Sequence, residues 1–171
     1  MAKLISAREL SLADIAEIDT KLADALMSDA SKKLALDKSK LALRPILPTE
    51  DLGITNNSWY TGSLTANSWN TWINAVLLDD DTFLGIMGIA SLAAVPKTSV
   101  ARFSIGVGAR VFDIWEVEDA YISGEPAAYT PEPIIYPGAS RVTVDLCAKA
   151  AGVDNVILKG WVVEPKGKRV A

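Results

Sequence analysis

Ile134-Ile135-Tyr136-Pro137-Gly138-Ala139-Ser140-Arg141-Val142-Thr143-Val144-Asp145-Leu146-Cys147-Ala148 is the stretch that decides the fold class. Two apolar runs flank a Pro-Gly pair, and the second run alternates. Val142, Val144 and Leu146 fall on one side, Thr143, Asp145 and Cys147 on the other, the period of a strand. Proline presets φ at the first central position of a turn and glycine accepts a positive φ at the second. Tyr136 to Ala139 is therefore expected to be a type II turn. Further on, Ala151 to Asn155 carries turn formers ahead of Val156 to Val163, so the C-terminal third reads as an array of β-hairpins.

Moving toward the N-terminus, Ala127 to Ile135 must be extended, because Pro131 and Pro133 forbid a helix. Prolines there predict a sheet edge or an ordered loop. Gly124-Glu125-Pro126 turns the chain. Val111 to Ile122 reads as a strand, and Phe103, Ile105 and Val107 alternate with Arg102, Ser104 and Gly106. The longest largely apolar run, Phe83 to Val95, has thirteen residues. A membrane-crossing helix needs about 20, so this run reads as a buried strand between the Asp79 to Thr82 turn and the break at Pro96-Lys97-Thr98. Trp69, Trp72, Ile73, Val76 and Leu77 fit helical spacing as well as a strand, and the strand is preferred for Ser68 to Leu78. Seven or eight strands at intervals of roughly 10 residues suit a sandwich, barrel or jelly roll.

The first quarter of the chain is different. Ser6 to Glu9 and Ser11 to Asp14 each place a hydroxyl three residues before a carboxylate, as a capping box does. Leu12, Ile15, Ile18, Leu22 and Leu26 then recur at steps of three and four, and predict an amphipathic helix ending between Met27 and Ala30. Ser31 to Lys40, with four lysines, is an extension of that helix or a connector. Leu43 to Pro48 stops any helix, since Pro45 and Pro48 deny backbone donors. The expected organisation is a helical arm over 1–45, a β domain over 46–165 and a basic tail over 166–171.

Half of the residues are hydrophobic, 22% are charged, and the mean hydropathy is +0.22. A monomer of this size usually shows more charge, so partner chains are expected to cover apolar surface. A net charge of −4 argues against nucleic acid as a partner. Lys166, Lys168 and Arg169 read as a solvated tail. Met1 to Ser6 is not followed by an apolar segment, so no signal peptide is read.

The chain has no histidine and one cysteine. It therefore lacks the commonest general base, and no Ser-His or Cys-His pair, zinc site or intramolecular disulfide can form. Cys147 reads as a space-filler. Gly106-Val107-Gly108 is too short for a phosphate loop. Glu116, Glu118 and Asp119 read as a solvated strand face. Asp79 to Asp81 read as an acidic turn, because adjacent residues cannot all face one calcium ion. No enzyme, cofactor or metal is expected. Trp59, Tyr60, Trp69 and Trp72 cluster within 14 residues; tryptophans serve as core, as interface anchors, or as platforms for sugar rings.

An N-terminal helix, about eight strands, the Pro-Gly turn into Arg141 to Leu146 and the closing Ile157-Leu158-Lys159-Gly160-Trp161-Val162-Val163 resemble single jelly-roll viral capsid proteins. Over Ile54 to Pro165 the chain looks most like the smaller major capsid subunits of tailless icosahedral viruses with an internal membrane, the sphaerolipovirus-like group. The resemblance implies an upright jelly roll in a virion shell, assembled in the host cytoplasm, self-associating and paired with a second, larger capsid subunit near a viral membrane. It brings no catalytic residues. The fold expected is thus mainly β, a single jelly roll or β-sandwich of about eight antiparallel strands with an N-terminal amphipathic α-helix. The function expected is that of a structural coat subunit, with Ile15, Ile18, Leu22, Leu26, Trp59, Trp69 and Trp72 as assembly contacts. The alternative is a carbohydrate-binding β-sandwich using Trp59, Trp69 and Trp72.

Overall fold

Ser11 and Asp14 start the first helix as their spacing requires. The Asp14 amide donates to Ser11 Oγ at 3.1 Å, and the Ser11 amide donates to the Asp14 carboxylate at 2.9 Å, which satisfies two backbone donors reciprocally. In the computed structural model, which describes residues 4–106, 110–121 and 126–169, this helix, α1, spans Leu12–Leu34. It outruns the expected end because Leu34 and Leu36 still find apolar partners beside Leu26, Ala30, Leu41, Phe83 and Val163. Ala35, left-handed at φ 53, stops it. Ser6 caps only a single 3-10 turn at Ala7–Glu9. Met1 to Lys3, Val107, Gly108, Ile122, Gly124, Glu125, Val170 and Ala171, which figure in the sequence reading, lie outside the described residues.

Among the described residues the strands form two antiparallel sheets. In the larger, β1 (Ile5–Ser6), β8 (Ala127–Tyr136), β5 (Phe83–Ser91), β10 (Gly152–Pro165) and β2 (Leu41–Pro45) lie side by side. β3 (Tyr60–Leu64) joins the first half of β10. The smaller sheet runs β4 (Trp69–Leu77), β9 (Arg141–Ala148), β6 (Thr98–Ile105) and β7 (Arg110–Glu116). With the short β1 and β2 set aside, β3-β10-β5-β8 faces β4-β9-β6-β7. That is the order of two Greek keys wound as a jelly roll.

The hairpin array is corrected. β8 pairs with β5 and β1, β9 with β4 and β6, and β10 with β5, β2 and β3. The Pro137-Gly138 turn therefore carries the chain from one sheet to the other. Alternation tells which face of a strand is buried; it is silent on the partner strand. The positive φ of this turn also falls on Ala139, at 64°, and not on Gly138. Glycine is required at 138 for a different reason: a Cβ there would collide with the backbone carbonyl of Asp80.

Three further differences have local causes. Val117–Ala120 form a short helix, α3, where a strand was expected, because Val117 and Ala120 both turn into the core. A second short helix, α2, begins at Pro48 and runs to Leu52, since proline at the first helical position gives up a donor that would be orphaned anyway. β2 hydrogen-bonds along β10 from Trp161 to Pro165, so residues 41–45 belong to the sandwich and the division at residue 45 is not a structural one. Pro131 and Pro133 do sit where the β5–β8 register skips, between Gly88↔Tyr129 and Ile86↔Ile134, as prolines in a sheet must.

β5 is buried at every residue because it is covered on both faces. On one side lies the inter-sheet core, with Trp115, Tyr136, Phe103, Ile73, Leu84, Ile86 and Leu146. On the other lies α1. A Cβ on Gly85 would come within 2.6 Å of Leu22 Cδ1, so the glycine lets the helix settle against the sheet. Each leucine fully buried in this way contributes about 2 kcal/mol.

Candidate functional site

The helix face expected to contact a neighbouring chain is used internally. Leu22 and Leu26 are fully buried, Ile18 nearly so, against Met87, Phe83 and Val163 of the larger sheet and beside Trp161. Ile15 is half-buried. This corrects Ile18, Leu22 and Leu26 as assembly contacts: the helix needs an apolar partner, and its own sheet supplies one.

The tryptophans divide. Trp59 and Trp72 pack against the core with ring centroids 6.4 Å apart, and the Trp72 indole donates to the Tyr60 carbonyl at 3.1 Å. Trp69 stands 42% exposed on the outer face of the smaller sheet. The Arg102 guanidinium lies 4.2 Å from its ring centroid and reaches Asp145 Oδ2 at 3.0 Å, while Thr71 donates to Asp145 Oδ1 at 2.8 Å. Residues from β4, β9 and β6 thus form one polar and aromatic row. Exposed cation–π contacts of this kind contribute about 0.5–1 kcal/mol.

Glu116, Glu118 and Asp119 do not converge on one site; Glu118 pairs with Lys149 at 2.8 Å. Asp79 and Asp81 are joined by Lys168, which also donates to Thr82 Oγ1 at 2.7 Å. The basic tail is therefore not simply solvated, which corrects that expectation. Desolvation acts to lower the Lys168 ammonium, but its bonds to Asp81 and Asp79 more than offset this and hold it above its ordinary value. The same contact holds Asp79 low.

The densest charge cluster was not foreseen. Arg44 binds Asp51 through two nitrogens at 2.7 and 2.8 Å and Glu164 through Nε at 2.8 Å. Both carboxylates are almost fully buried. The hydrogen bonds to Asp51, working against desolvation, hold the guanidinium above its ordinary value, with Glu164 adding to them. Arg169 from the tail approaches Asp51 and Glu164 at 3.5 Å each. Beside them opens a cleft of about 570 Å³ lined by Ala42, Arg44, Leu47, Glu164, Pro165, Gly167 and Arg169. Arg44 and Glu164 are 120 residues apart, and no local sequence signal joins them.

Asp154 is the other unforeseen polar centre. It has no solvent exposure and accepts from Ser91 Oγ, Thr98 Oγ1 and the amides of Lys97, Thr98 and Asn155 at 2.7–3.0 Å. Burial pushes its carboxyl up; the bonds from Ser91, Thr98 and Lys97 more than offset this and hold it below the usual carboxylate range. Its backbone exchanges hydrogen bonds with Thr61 Oγ1. One residue thereby ties β3, through its backbone, to the β5–β6 connection and β10, through its side chain, at one end of the sandwich. Burial also pushes the phenols of Tyr121 and Tyr136 upward. Among the described residues no group of three or more acidic or thiol side chains is arranged to hold a metal ion.

Apolar side chains are exposed at both ends of the sandwich. Leu92 (67%), Val95 (68%) and Val153 (36%) stand at the Asp154 end, where the Leu92 amide donates to the Asn155 carbonyl. Leu77 (56%), Val111 (45%) and Phe112 (40%) stand at the end that carries Asp79 to Asp81. No helix among the described residues is long and apolar enough to cross a membrane. No family model matches the chain, and no curated protein matches it.

Proposed function

We propose that this chain is a structural coat subunit that assembles with copies of itself, and with other capsid chains, into an icosahedral shell. The reading rests on one observation: a jelly roll whose ends both carry exposed apolar side chains, led by Leu92 and Val95 at one and Leu77 at the other. Exposed apolar clusters mark contact surfaces, and a contact between unlike surfaces propagates from copy to copy. α1 and the tryptophan pair Trp59–Trp72 then stiffen the brick, while its ends make the joints. On this reading the protein's place is the virion. Light scattering at micromolar concentration tests it. Wild type forms species larger than a dimer, and Leu92→Asp with Val95→Asp reduces them. A wild-type chain that stays monomeric at every concentration sinks the proposal.

The exposed Trp69 with the Arg102–Asp145–Thr71 row beside it favours a second reading, a carbohydrate-binding face. It requires glycan-induced changes in tryptophan fluorescence that vanish in Trp69→Ala.

A further inference from the structure

The last described residues are held down by charge. Lys168 sits on Asp79, Asp81 and Thr82, Arg169 reaches Asp51 and Glu164, and the Lys166 amide donates to the Lys40 carbonyl at 2.9 Å. Lys168 and Arg169 are thus held by ionic and polar contacts. Gly167, at φ +82 with no described atom within 4 Å of where its Cβ would lie, turns the segment just after the end of β10. Without Arg169, two buried carboxylates share one guanidinium, Arg44, and the cluster keeps a net charge of about −1. Without Lys168, Asp79 and Asp81 lose the ammonium that joins them.

We propose that residues 166–169 form a releasable strap, and that the acidic seats it leaves accept the same strap from a second copy of this chain. The strap matches those seats in charge because it already occupies them, and exchange of an identical element between protomers is a low-cost route to association. On the acidic side Asp79 is 74% exposed and Asp81 40%, so salt weakens both contacts, the one to Asp79 more, and favours release. The proposal deepens the self-association reading above by naming one contact, and it takes the identity of the partner from that reading.

A charge-swap mixing experiment on full-length chains tests it, with sedimentation to read association. One variant carries Lys168→Glu; the other carries Asp79→Lys and Asp81→Lys. Each alone associates about tenfold more weakly than wild type. Mixed, they recover wild-type association, because each strap now finds oppositely charged seats on the other chain, and high salt abolishes the recovery. A third variant carrying all three reversals regains the contact in cis and shows that the changes do not impair folding. If the two variants mixed associate no better than either alone, exchange is refuted. Assembly of wild type that is indifferent to all three substitutions refutes the strap and leaves the coat reading standing. Recovery by mixing without any species beyond a dimer supports the strap and refutes the coat reading.

Discussion

The indole of Trp161, on the last strand, donates to the carboxylate of Asp19, on the first helix, across 2.6 Å. It is the polar pin beside an apolar seat, because the same stretch of α1 presses Leu22 and Leu26 onto the sheet. Leu22→Ala is expected to cost about 2–5 kcal/mol, since the cavity over Gly85 cannot collapse against a strand already packed on its other face. Asp19→Ala, which removes only the hydrogen bond, is expected to cost about 1–2 kcal/mol. Urea midpoints read both. A cost for Leu22→Ala below that of Asp19→Ala would show that the helix is not seated as described.

Asp154 makes stability depend on acid. Its folded carboxyl lies below the usual aspartate value of 3.8, so its stabilisation is fully present above that value and is lost as the pH falls toward the lower, folded value. Wild type should lose stability steadily below about pH 4. Asp154→Asn, which turns an amide toward backbone donors, is expected to cost about 3 kcal/mol near neutral pH and to flatten that acid limb. Thermal midpoints from neutral to acid pH decide it; a variant with the wild-type acid slope would locate the titrating group elsewhere.

Arg44→Leu leaves two buried carboxylates to the longer, 3.5 Å contacts of Arg169. A loss of about 3–5 kcal/mol is expected, larger than for Lys149→Ala, whose partner Glu118 is half-exposed and whose contribution is at most about 1 kcal/mol. Chemical denaturation of the two variants side by side provides the check, and equal costs would contradict the burial of Asp51 and Glu164.

Two tryptophans separate core from surface. Trp115 is fully buried and donates to Asp113, so Trp115→Ala should cost about 3–5 kcal/mol. Trp69→Ala should cost roughly 1 kcal/mol, the order of its stacking on Arg102. Acrylamide should quench the fluorescence of Trp69 in preference to that of Trp115. The opposite order would place Trp69 inside.

Period and punctuation in the sequence were enough to mark β4 to β10, the amphipathic run of α1 behind the Ser11 cap, the buried run at Phe83 and the mainly β architecture, but not β1, β2 or β3. These features are set by residues a few positions apart, through side-chain alternation, capping and the backbone limits of proline and glycine. Only the tertiary structure decided that β8, β9 and β10 part company across the two sheets, that Leu22 and Leu26 face the protein's own sheet, and that Arg44, Asp51, Glu164 and Arg169 meet. Pairing partners, the choice between an internal and an external apolar surface, and charge clusters drawn from distant strands all depend on how layers stack. Local pattern fixes what a residue wants to bury or bond, and the packed fold fixes against whom.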